Sequence, residues 1–259
     1  MKTYSMKKYL NADEAQRNHT SSTKKQLKSF VLKSSEVLQL RQEMWQIYNK
    51  YYEVDRTAFF NRFTSNDFYA IYKDGEDIIG FTALRIRPIT TQDGTFMTFY
   101  LGQSVIEQEF RGGSLIPKTC FNLFVQHFMN HPFMPLYVWC DALTYKPYMI
   151  FANAMERFYP SRQHTMTPKI RRLINKIGQT YYPDSFDPQT GTVMKGSNVI
   201  DDITAVIDEQ KMQHPDIHFF TQANPKYTKG HGLITIAPIN FRNFVSLIRK
   251  IANKKMSSK

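Results

Sequence analysis

A strand, a glycine turn and a helix follow one another within residues 98–128, and this segment constrains the fold more than any other. Residues 96–106 are mostly β-branched or aromatic, which is typical of a buried strand. Gly112 and Gly113 then let the backbone bend sharply, and Ser114 is a good helix N-cap. Because free amides and the positive end of the helix dipole face this turn, the sequence predicts an anion site there.

The turn also resembles a known motif. Residues 106–116 read IEQEFRGGSLI and resemble motif A of the GNAT superfamily of N-acetyltransferases, the acyl-CoA N-acyltransferase fold. In that family an Arg or Gln precedes Gly-x-Gly and a helix, and the turn amides grip the pyrophosphate of coenzyme A. Arg111 and Gly112 match, Gly113 fills the variable place, and Ser114 stands where glycine is usual. The resemblance covers roughly residues 37–161. It implies an acyl-CoA site formed by Ile106, Phe110, Arg111, Gly112, Gly113, Ser114 and Leu115.

The resemblance implies an α/β fold, in which a mixed, mostly antiparallel central sheet is flanked by helices. Asp74 and Gly75 lie between two apolar runs and predict a β-hairpin. Gly80, inside the second run, predicts a bulge or a close backbone approach, and Pro88 is expected to end the pairing. The apolar run 136–140 predicts a strand parallel to the central one, reached by a right-handed helical crossover. GNAT proteins splay these two strands apart to admit the acyl-pantetheine arm.

Three regions are expected within one domain: a flexible basic arm over 1–27, a GNAT-like core over 28–165 and a C-terminal extension over 166–259. The extension is expected to contain an insert, a hairpin at about 216–239 that closes the sheet, and a final helix capped by Asn240. The spacing of apolar residues predicts further helices, starting at Ser34 or Ser35 and over 57–63, 147–158, 168–176 (closed by Gly178) and 199–212.

The net charge of +12 is concentrated at the two ends of the chain. Residues 1–30 carry seven basic and two acidic groups, residues 241–259 carry six basic and no acidic groups, and the body is nearly neutral. Such ends are most often solvated. They would also suit an acidic partner such as an acyl carrier protein, whereas a single RGG without repeats makes nucleic acid an unlikely partner.

Composition indicates a globular protein without metal or disulfide chemistry. The two cysteines, Cys120 and Cys140, lie in apolar runs and are expected to be buried hydrophobes in a reducing compartment. No His or Cys cluster has zinc spacing, so no metal is expected. No apolar run approaches the ~20 residues of a transmembrane helix, and no secretory signal is visible. The predicted location is cytoplasmic.

Acyl transfer to an amine needs a gripped thioester, a neutral nucleophile, oxyanion stabilisation and an acid for the thiolate. The GNAT resemblance implies that backbone around 104–106 polarises the thioester carbonyl, and that a tyrosine near the end of helix 147–158 protonates the thiolate. Tyr159 is the best match. Asp141, at the end of strand 136–140, is the carboxylate best placed to meet the amine, and Glu107 and Glu109 are expected to be solvated.

The sequence therefore predicts an N-acyltransferase that moves an acetyl or longer acyl group from acyl-CoA to an amine-bearing acceptor. Two alternatives stay open. A synthase of the N-acyl amino acid or acyl-homoserine lactone type would take its donor from acyl carrier protein, and the basic ends would suit it. A binding protein on a degenerate GNAT scaffold is suggested by Ser114 and the missing general base.

Overall fold

The computed structural model describes residues 27–111, 115–195, 198–199 and 205–256. The strands in these ranges are β1 (Leu27–Lys33), β2 (Tyr52–Glu53), β3 (Phe68–Asp74), β4 (Asp77–Thr91), β5 (Gly94–Ile106), β6 (Leu136–Ala142), β7 (Phe186–Asp187), β8 (Thr192–Met194), β9 (Asn198–Val199) and β10 (His231–Pro238). The α-helices are α1 (Arg41–Tyr48), α2 (Arg56–Ser65), α3 (Leu115–Asn130), α4 (Tyr145–Ala154), α5 (Pro168–Tyr181), α6 (Glu209–Met212), α7 (Pro215–Ala223) and α8 (Phe241–Met256).

One eight-stranded sheet organises the molecule, in the order β1-β3-β4-β5-β6-β10-β8-β7. Neighbouring strands are antiparallel except for β5 and β6, which run parallel and are joined by the crossover helix α3. The expected mixed, mostly antiparallel α/β fold is therefore confirmed. The strands β2 and β9 form a separate antiparallel pair.

The β3–β4 hairpin and the close approach at Gly80 are also confirmed. A Cβ atom at Gly80 would lie 2.5 Å from the Val105 carbonyl oxygen, so only glycine fits there without a shift. The expected end of pairing at Pro88 was wrong, since Pro88 pairs with Met97 and β4 continues to Thr91. The amide of Ile86 points away from β5, towards the Asp67 carboxylate. The nitrogen of Pro88, two residues on, faces the same open edge, where its missing N–H costs no ladder bond.

Helices cover both faces of the sheet. On one face, α3, α4, α7 and α8 pack on a core that includes Phe99, Phe124 and Val138. On the other face, α5 packs near Tyr100 and Trp139, while α1 and α2 cover the part of the sheet nearer β3. Both faces bury apolar side chains, so β4, β5 and β6 are almost continuously buried.

The helix boundaries correct several predictions. The first helix begins at Arg41 after a 3₁₀ turn (Leu38–Leu40), and neither Ser34 nor Ser35 caps it. Helix α4 ends at Ala154 rather than near residue 158. Helix α5 runs through Gly178, where the ring of Phe186 packs against the position that a Cβ would fill, 2.3 Å away. Glycine is required at position 178 because the Phe186 ring packs there, and not because the helix ends there.

The C-terminal extension differs most from expectation. Residues 217–221 belong to helix α7, which starts at Pro215 and buries Ile217 and Phe220 on one side, so the predicted hairpin was wrong. The sheet is instead closed by β10, which pairs with β6 and with β8. The predicted helix over 199–212 was also wrong: Val199 ends β9, and among the described residues 205–212 the one α-helix is the short α6.

Helix α8 confirms part of its prediction. The Asn243 amide donates to Asn240 Oδ1 (3.0 Å), so Asn240 caps the helix, and Leu247 is buried as expected. The sequence also predicted that Phe241 and Ile248 face inward on this helix, but they are 81% and 42% exposed.

Cys120 and Cys140 are free thiols and are buried, as predicted. Burial raises the pKa of the Cys120 thiol to about 12. Within the part of the chain that the structure describes, none of the helices combines the length and apolar character that a bilayer crossing demands.

Candidate active site

The parallel strands β5 and β6 separate halfway along their length. Their register runs from Met97 opposite Leu136 to Tyr100 opposite Trp139, after which β5 continues to Ile106 and β6 to Ala142. The gap beyond this last pair, which we call the notch, agrees with the splayed strands that the GNAT resemblance implied. In the notch, in the middle of the sheet, β5 is no longer paired with β6, so a ligand can approach its backbone there.

A bulge in β5 borders the notch. The register with β4 steps from Val105 opposite Phe81 to Gly102 opposite Ala83, so β5 carries two residues opposite one. One of them, Gln103, has a φ of 45°, which residues other than glycine rarely adopt. This strained backbone lies beside residues 104–106, whose amides were expected to polarise a thioester carbonyl.

Asp141 lies at the end of β6 on the side of the notch covered by α5. Its side chain is 6% exposed, and its carboxylate accepts hydrogen bonds from Tyr100 Oη (3.0 and 3.1 Å), Tyr182 Oη and Lys195 Nζ (2.5 Å). Together with Arg85, these residues form what we call the Asp141 cluster. Its members come from three strands (β4, β5 and β6), from the end of α5 and from the residue after β8.

The charges of Asp141 and Lys195 bear on the predicted role of Asp141. Burial raises the pKa of the Asp141 carboxyl, but the charge of Lys195 and the hydrogen bonds from Lys195 and Tyr182 outweigh burial and hold this pKa below its usual range. Burial lowers the pKa of Lys195, and Asp141 more than offsets that effect. Both groups are therefore charged at neutral pH. A carboxylate engaged in this way is a weak base, so its geometry suits a positioning role.

Arg85 projects from β4 into the same cluster. Its guanidinium carbon lies 4.1 Å from the ring centroid of Tyr100 and 4.7 Å from that of Tyr181, so the charge contacts two aromatic rings. Tyr182 also hydrogen-bonds to this side chain. Arginine in the apolar run FTALRIRP was the one signal in the sequence that could have revealed this residue. Tyr182 and Lys195 had no such signal, because they lie where the family resemblance ends.

Gly102 is required by the cluster. A Cβ atom built at this position would lie 2.1 Å from the ring of Tyr100, which is almost fully buried. The glycine therefore leaves the space that allows Tyr100 to reach Asp141.

The predicted phosphate turn begins in a second cluster, which we call the Glu107 cluster: Lys50, Tyr51, Glu107 and Arg111. The Glu107 carboxylate accepts from Lys50 Nζ (2.5 Å) and from Tyr51 Oη (2.8 Å), so the expectation of a solvated Glu107 was wrong. Arg111 Nε donates to the Ile106 carbonyl (2.8 Å), and the guanidinium carbon lies 4.2 Å from the Tyr51 ring centroid. These contacts tie the end of β5 to the chain after α1.

The other predicted cofactor-binding residues surround this turn. Ile106 ends β5, Phe110 closes a 3₁₀ turn (Gln108–Phe110), and Leu115 starts α3. Gly112, Gly113 and Ser114 lie outside the described residues. The turn thus connects the end of the strand that borders the notch directly to the start of the crossover helix.

Tyr159 lies away from the notch. It follows α4 by several residues, is 4% exposed, and exchanges two backbone hydrogen bonds of 2.8 Å with Ile236. Those bonds lie on the edge of β10 opposite the one that pairs with β6, where Ile234 faces Asp141. A whole strand therefore separates the Tyr159 and Asp141 backbones, roughly 10 Å at the usual strand spacing. The two predicted catalytic residues are not brought together.

Comparison with known proteins adds information on the fold alone. No protein-family model matches the chain, and no curated protein matches it at a significant level. Among solved structures, it is similar to an acetyltransferase of Trypanosoma brucei, with 16% identity over 55% of this chain and 99% of the other and a TM-score of 0.37. It is similar to glucosamine-6-phosphate N-acetyltransferase of Arabidopsis thaliana, with 14% identity over 55% and 99% and a TM-score of 0.37.

A third similar structure is a mutant AtaT toxin bound to the C-terminus of the antitoxin AtaR and to acetyl-CoA, with 13% identity, coverage of 49% and 81%, and a TM-score of 0.33. The sheet order, the parallel β5–β6 pair and its helical crossover are the features that agree with the motif resemblance. The chain thus has a mixed, mostly antiparallel α/β fold with one parallel pair near the middle of its sheet.

Proposed function

We propose that the protein is an N-acyltransferase that moves an acetyl or longer acyl group from acyl-CoA to an amine, with the notch as the site of reaction. One observation carries the proposal: the separation of β5 and β6 lies next to a strained bulge, on the strand that leads directly into the glycine turn and α3. A thioester arm lying in the notch would have its carbonyl beside free β5 amides and its phosphates at the helix start.

The donor site of this proposal consists of the turn and its flanking residues. Amides of residues 110–115 would bind the pyrophosphate, and Arg111 would add positive charge beside it. The Glu107 cluster supports this role, because it fixes the direction in which β5 enters the turn.

The chemical step needs few side chains. The neutral amine attacks the thioester carbonyl carbon, the C–S bond breaks, and the amine proton leaves through water while the thiolate is protonated. Orientation supplies much of the rate, and the bulge amides stabilise the oxyanion. Asp141 would act here as a positioning residue that holds Tyr100 and Lys195, and Tyr159 is too far from the notch to serve as the acid.

Isothermal titration with acetyl-CoA and with a long-chain acyl-CoA tests the donor site. We expect saturable binding that is lost in Gly112→Asp, because a carboxylate in the turn repels the pyrophosphate. Gly75→Asp is the matched control: it adds the same charge in the β3–β4 turn, where no atom lies within 4 Å of the added Cβ. Absence of binding to both ligands would contradict the proposal and favour a carrier-protein donor or a non-catalytic scaffold.

A further inference from the structure

Arg85 is a largely buried cation that has no ion pair of its own. Tyr182 hydrogen-bonds to it and the Asp141 charge acts on it, but Lys195 already pairs with that carboxylate. The Nε atom of Arg85 is buried and has no hydrogen-bond partner, and in the described part of the chain no carboxylate lies within ion-pair distance of Arg85. The Asp141 carboxylate is already engaged by Lys195 and by two tyrosines. The aromatic rings that contact the guanidinium offset only part of the cost of burying it. With Arg85 and Lys195 against Asp141, the cluster holds one more positive than negative charge, which suits a site whose counter-ion comes from a ligand.

Two further side-chain N–H groups, on the strands β5 and β6 that border the notch, also lack partners among the described residues. Gln103, in the bulge, accepts a hydrogen bond from Asn66 Nδ2 (3.2 Å), but its own buried Nε2 donates to nothing. Trp139 is fully buried with a free Nε1, and its ring lies 4.4 Å from that of Tyr100. All three groups are donors. Asn66, whose Nδ2 contacts Gln103, has a buried acceptor, Oδ1, that is unpartnered among the described residues.

The net charge around the Asp141 cluster also favours an anionic ligand. Arg85 and Lys195 place two positive charges in the Asp141 cluster against the single negative charge of Asp141. Arg62 adds another cation nearby, since its Nη1 donates to the buried Tyr48 hydroxyl (3.4 Å). An uncharged or purely cationic ligand would leave this excess uncompensated, whereas an oxyanion would satisfy both the charge and the free donors.

We propose that the notch binds an amine that also carries an oxyanion, either a carboxylate or a phosphate, and that Arg85 and Gln103 bind this group. The guanidinium supplies a planar set of donors suited to two oxygens, and the Gln103 amide, in the bulge that borders the notch, supplies a further donor. Asn66 Oδ1 is left to accept from the amine. The inference rests on the proposed function in one respect, namely that the bound amine is the acyl acceptor.

Trp139 allows binding to be measured without turnover. The chain has two tryptophans, so Trp45→Phe leaves Trp139 as the only one. In this background, small and aromatic amino acids would be titrated against their amides, and phosphoethanolamine against ethanolamine, at constant ionic strength. We expect a saturable change in Trp139 emission with the anionic member of at least one pair and none with its neutral partner. The carboxylate and phosphate pairs distinguish the two sources of the oxyanion.

Variants of Arg85 and a neighbouring arginine supply the control. Arg85→Met should weaken binding of the anionic amine by about tenfold or more. Arg87→Met, two residues along β4, should not, because Arg87 is already paired with Asp67 (2.8 Å). If Arg85→Met fails to fold, Gln103→Asn withdraws the amide while asparagine still tolerates the positive φ, and it should also weaken binding. Equal binding of anionic and neutral amines, no binding of any anionic amine, or no effect of these variants would overturn the inference.

Turnover separates this inference from the proposed function. Acetyl-CoA-dependent thiol release should be faster with the anionic amine, and Arg85→Met should raise KM for that amine while leaving acetyl-CoA binding unchanged. Equal turnover of neutral amines would overturn the oxyanion site and leave the acyltransferase standing. Anion-selective fluorescence without acetyl-CoA binding or turnover would have the opposite meaning: an anion site on a scaffold that does not transfer acyl groups.

Discussion

The two clusters at the ends of the notch use the same chemical groups in different environments. In each, one carboxylate accepts from a lysine and from tyrosine: Asp141 from Lys195, Tyr100 and Tyr182, and Glu107 from Lys50 and Tyr51. The Asp141 and Lys195 side chains are 6% and 14% exposed, whereas those of Glu107 and Lys50 are 19% and 56% exposed.

This difference in burial decides what each cluster contributes. Water screens the Glu107 pair, so breaking it leaves two groups that solvent can hydrate. The Asp141 pair lies where hydration is poor, so each charge depends on its partner. Two clusters with similar hydrogen bonds can therefore differ in importance. The Glu107 cluster can be lost at little cost, whereas the local structure depends on the Asp141 cluster.

The largest effect is expected from Asp141→Asn. Loss of the carboxylate leaves Lys195 buried without its counter-ion, and the free energy of unfolding should fall by about 3–5 kcal/mol in urea denaturation. The double variant Asp141→Asn, Lys195→Met should recover much of this loss, because it removes the orphaned charge. A single-variant loss below about 1 kcal/mol would show that the cluster is hydrated.

Gly102→Ala tests the cluster through packing alone. The added methyl group would collide with the Tyr100 ring, and the cost should be about 1–3 kcal/mol of unfolding free energy. A double-mutant cycle with Tyr100→Leu provides the control, since a smaller side chain leaves room for the methyl group. Equal costs in both backgrounds would mean that Tyr100 is not what requires glycine at this position.

The pH dependence of stability should carry the signature of the Asp141–Lys195 pair. The pKa of Asp141 is lower in the folded than in the unfolded chain, so its contribution is full above the ordinary carboxyl pKa of about 4 and is lost as the pH falls through the folded value. The pKa of Lys195 is raised, so its contribution is full below about 10 and is lost as the pH rises further.

Urea denaturation across this pH range should show wild-type stability falling more steeply at both extremes than that of the Asp141→Asn, Lys195→Met variant. Parallel curves for the two proteins would contradict a charged pair in the folded state.

The smallest effect is expected from Glu107→Gln. Because Lys50 is mostly exposed, the free energy of unfolding should change by about 1 kcal/mol or less, and high salt should reduce the difference further. A loss as large as that of Asp141→Asn would remove the contrast between the two clusters. If the Glu107 cluster positions the phosphate turn, the same variant should weaken acetyl-CoA binding more than it lowers stability.

The sequence predicted the local elements around the glycine turn better than the side chains that surround Asp141. The glycine turn is a local pattern, and its neighbours Ile106, Arg111 and Leu115 lie where the pattern implied. Asp141 was identified because it follows an apolar strand. Its partners Tyr182 and Lys195 are 41 and 54 residues away, and no pattern in the sequence connects them.

The wrong predictions have physical causes of the same kind. The apolar run at 217–221 is too short for its periodicity to distinguish a strand from a helix. In the structure the run is helical, as part of α7, and buries Ile217 and Phe220. Tyr159 was expected near the end of a helix over 147–158, but α4 already ends at Ala154. Backbone pairing with Ile236 instead holds Tyr159 beside β10.

What the sequence determined by itself was the chain of local elements: the β3–β4 hairpin, the β5 strand, the crossover through α3 and the β6 strand. Turn residues, apolar periodicity and helix caps act over a few residues, so they can be read without knowing the fold. Only the tertiary structure decided which charges are buried, because burial depends on elements far apart in sequence. The Asp141 cluster exists because β4, β5, β6, α5 and the residue after β8 meet at one point and exclude water from it.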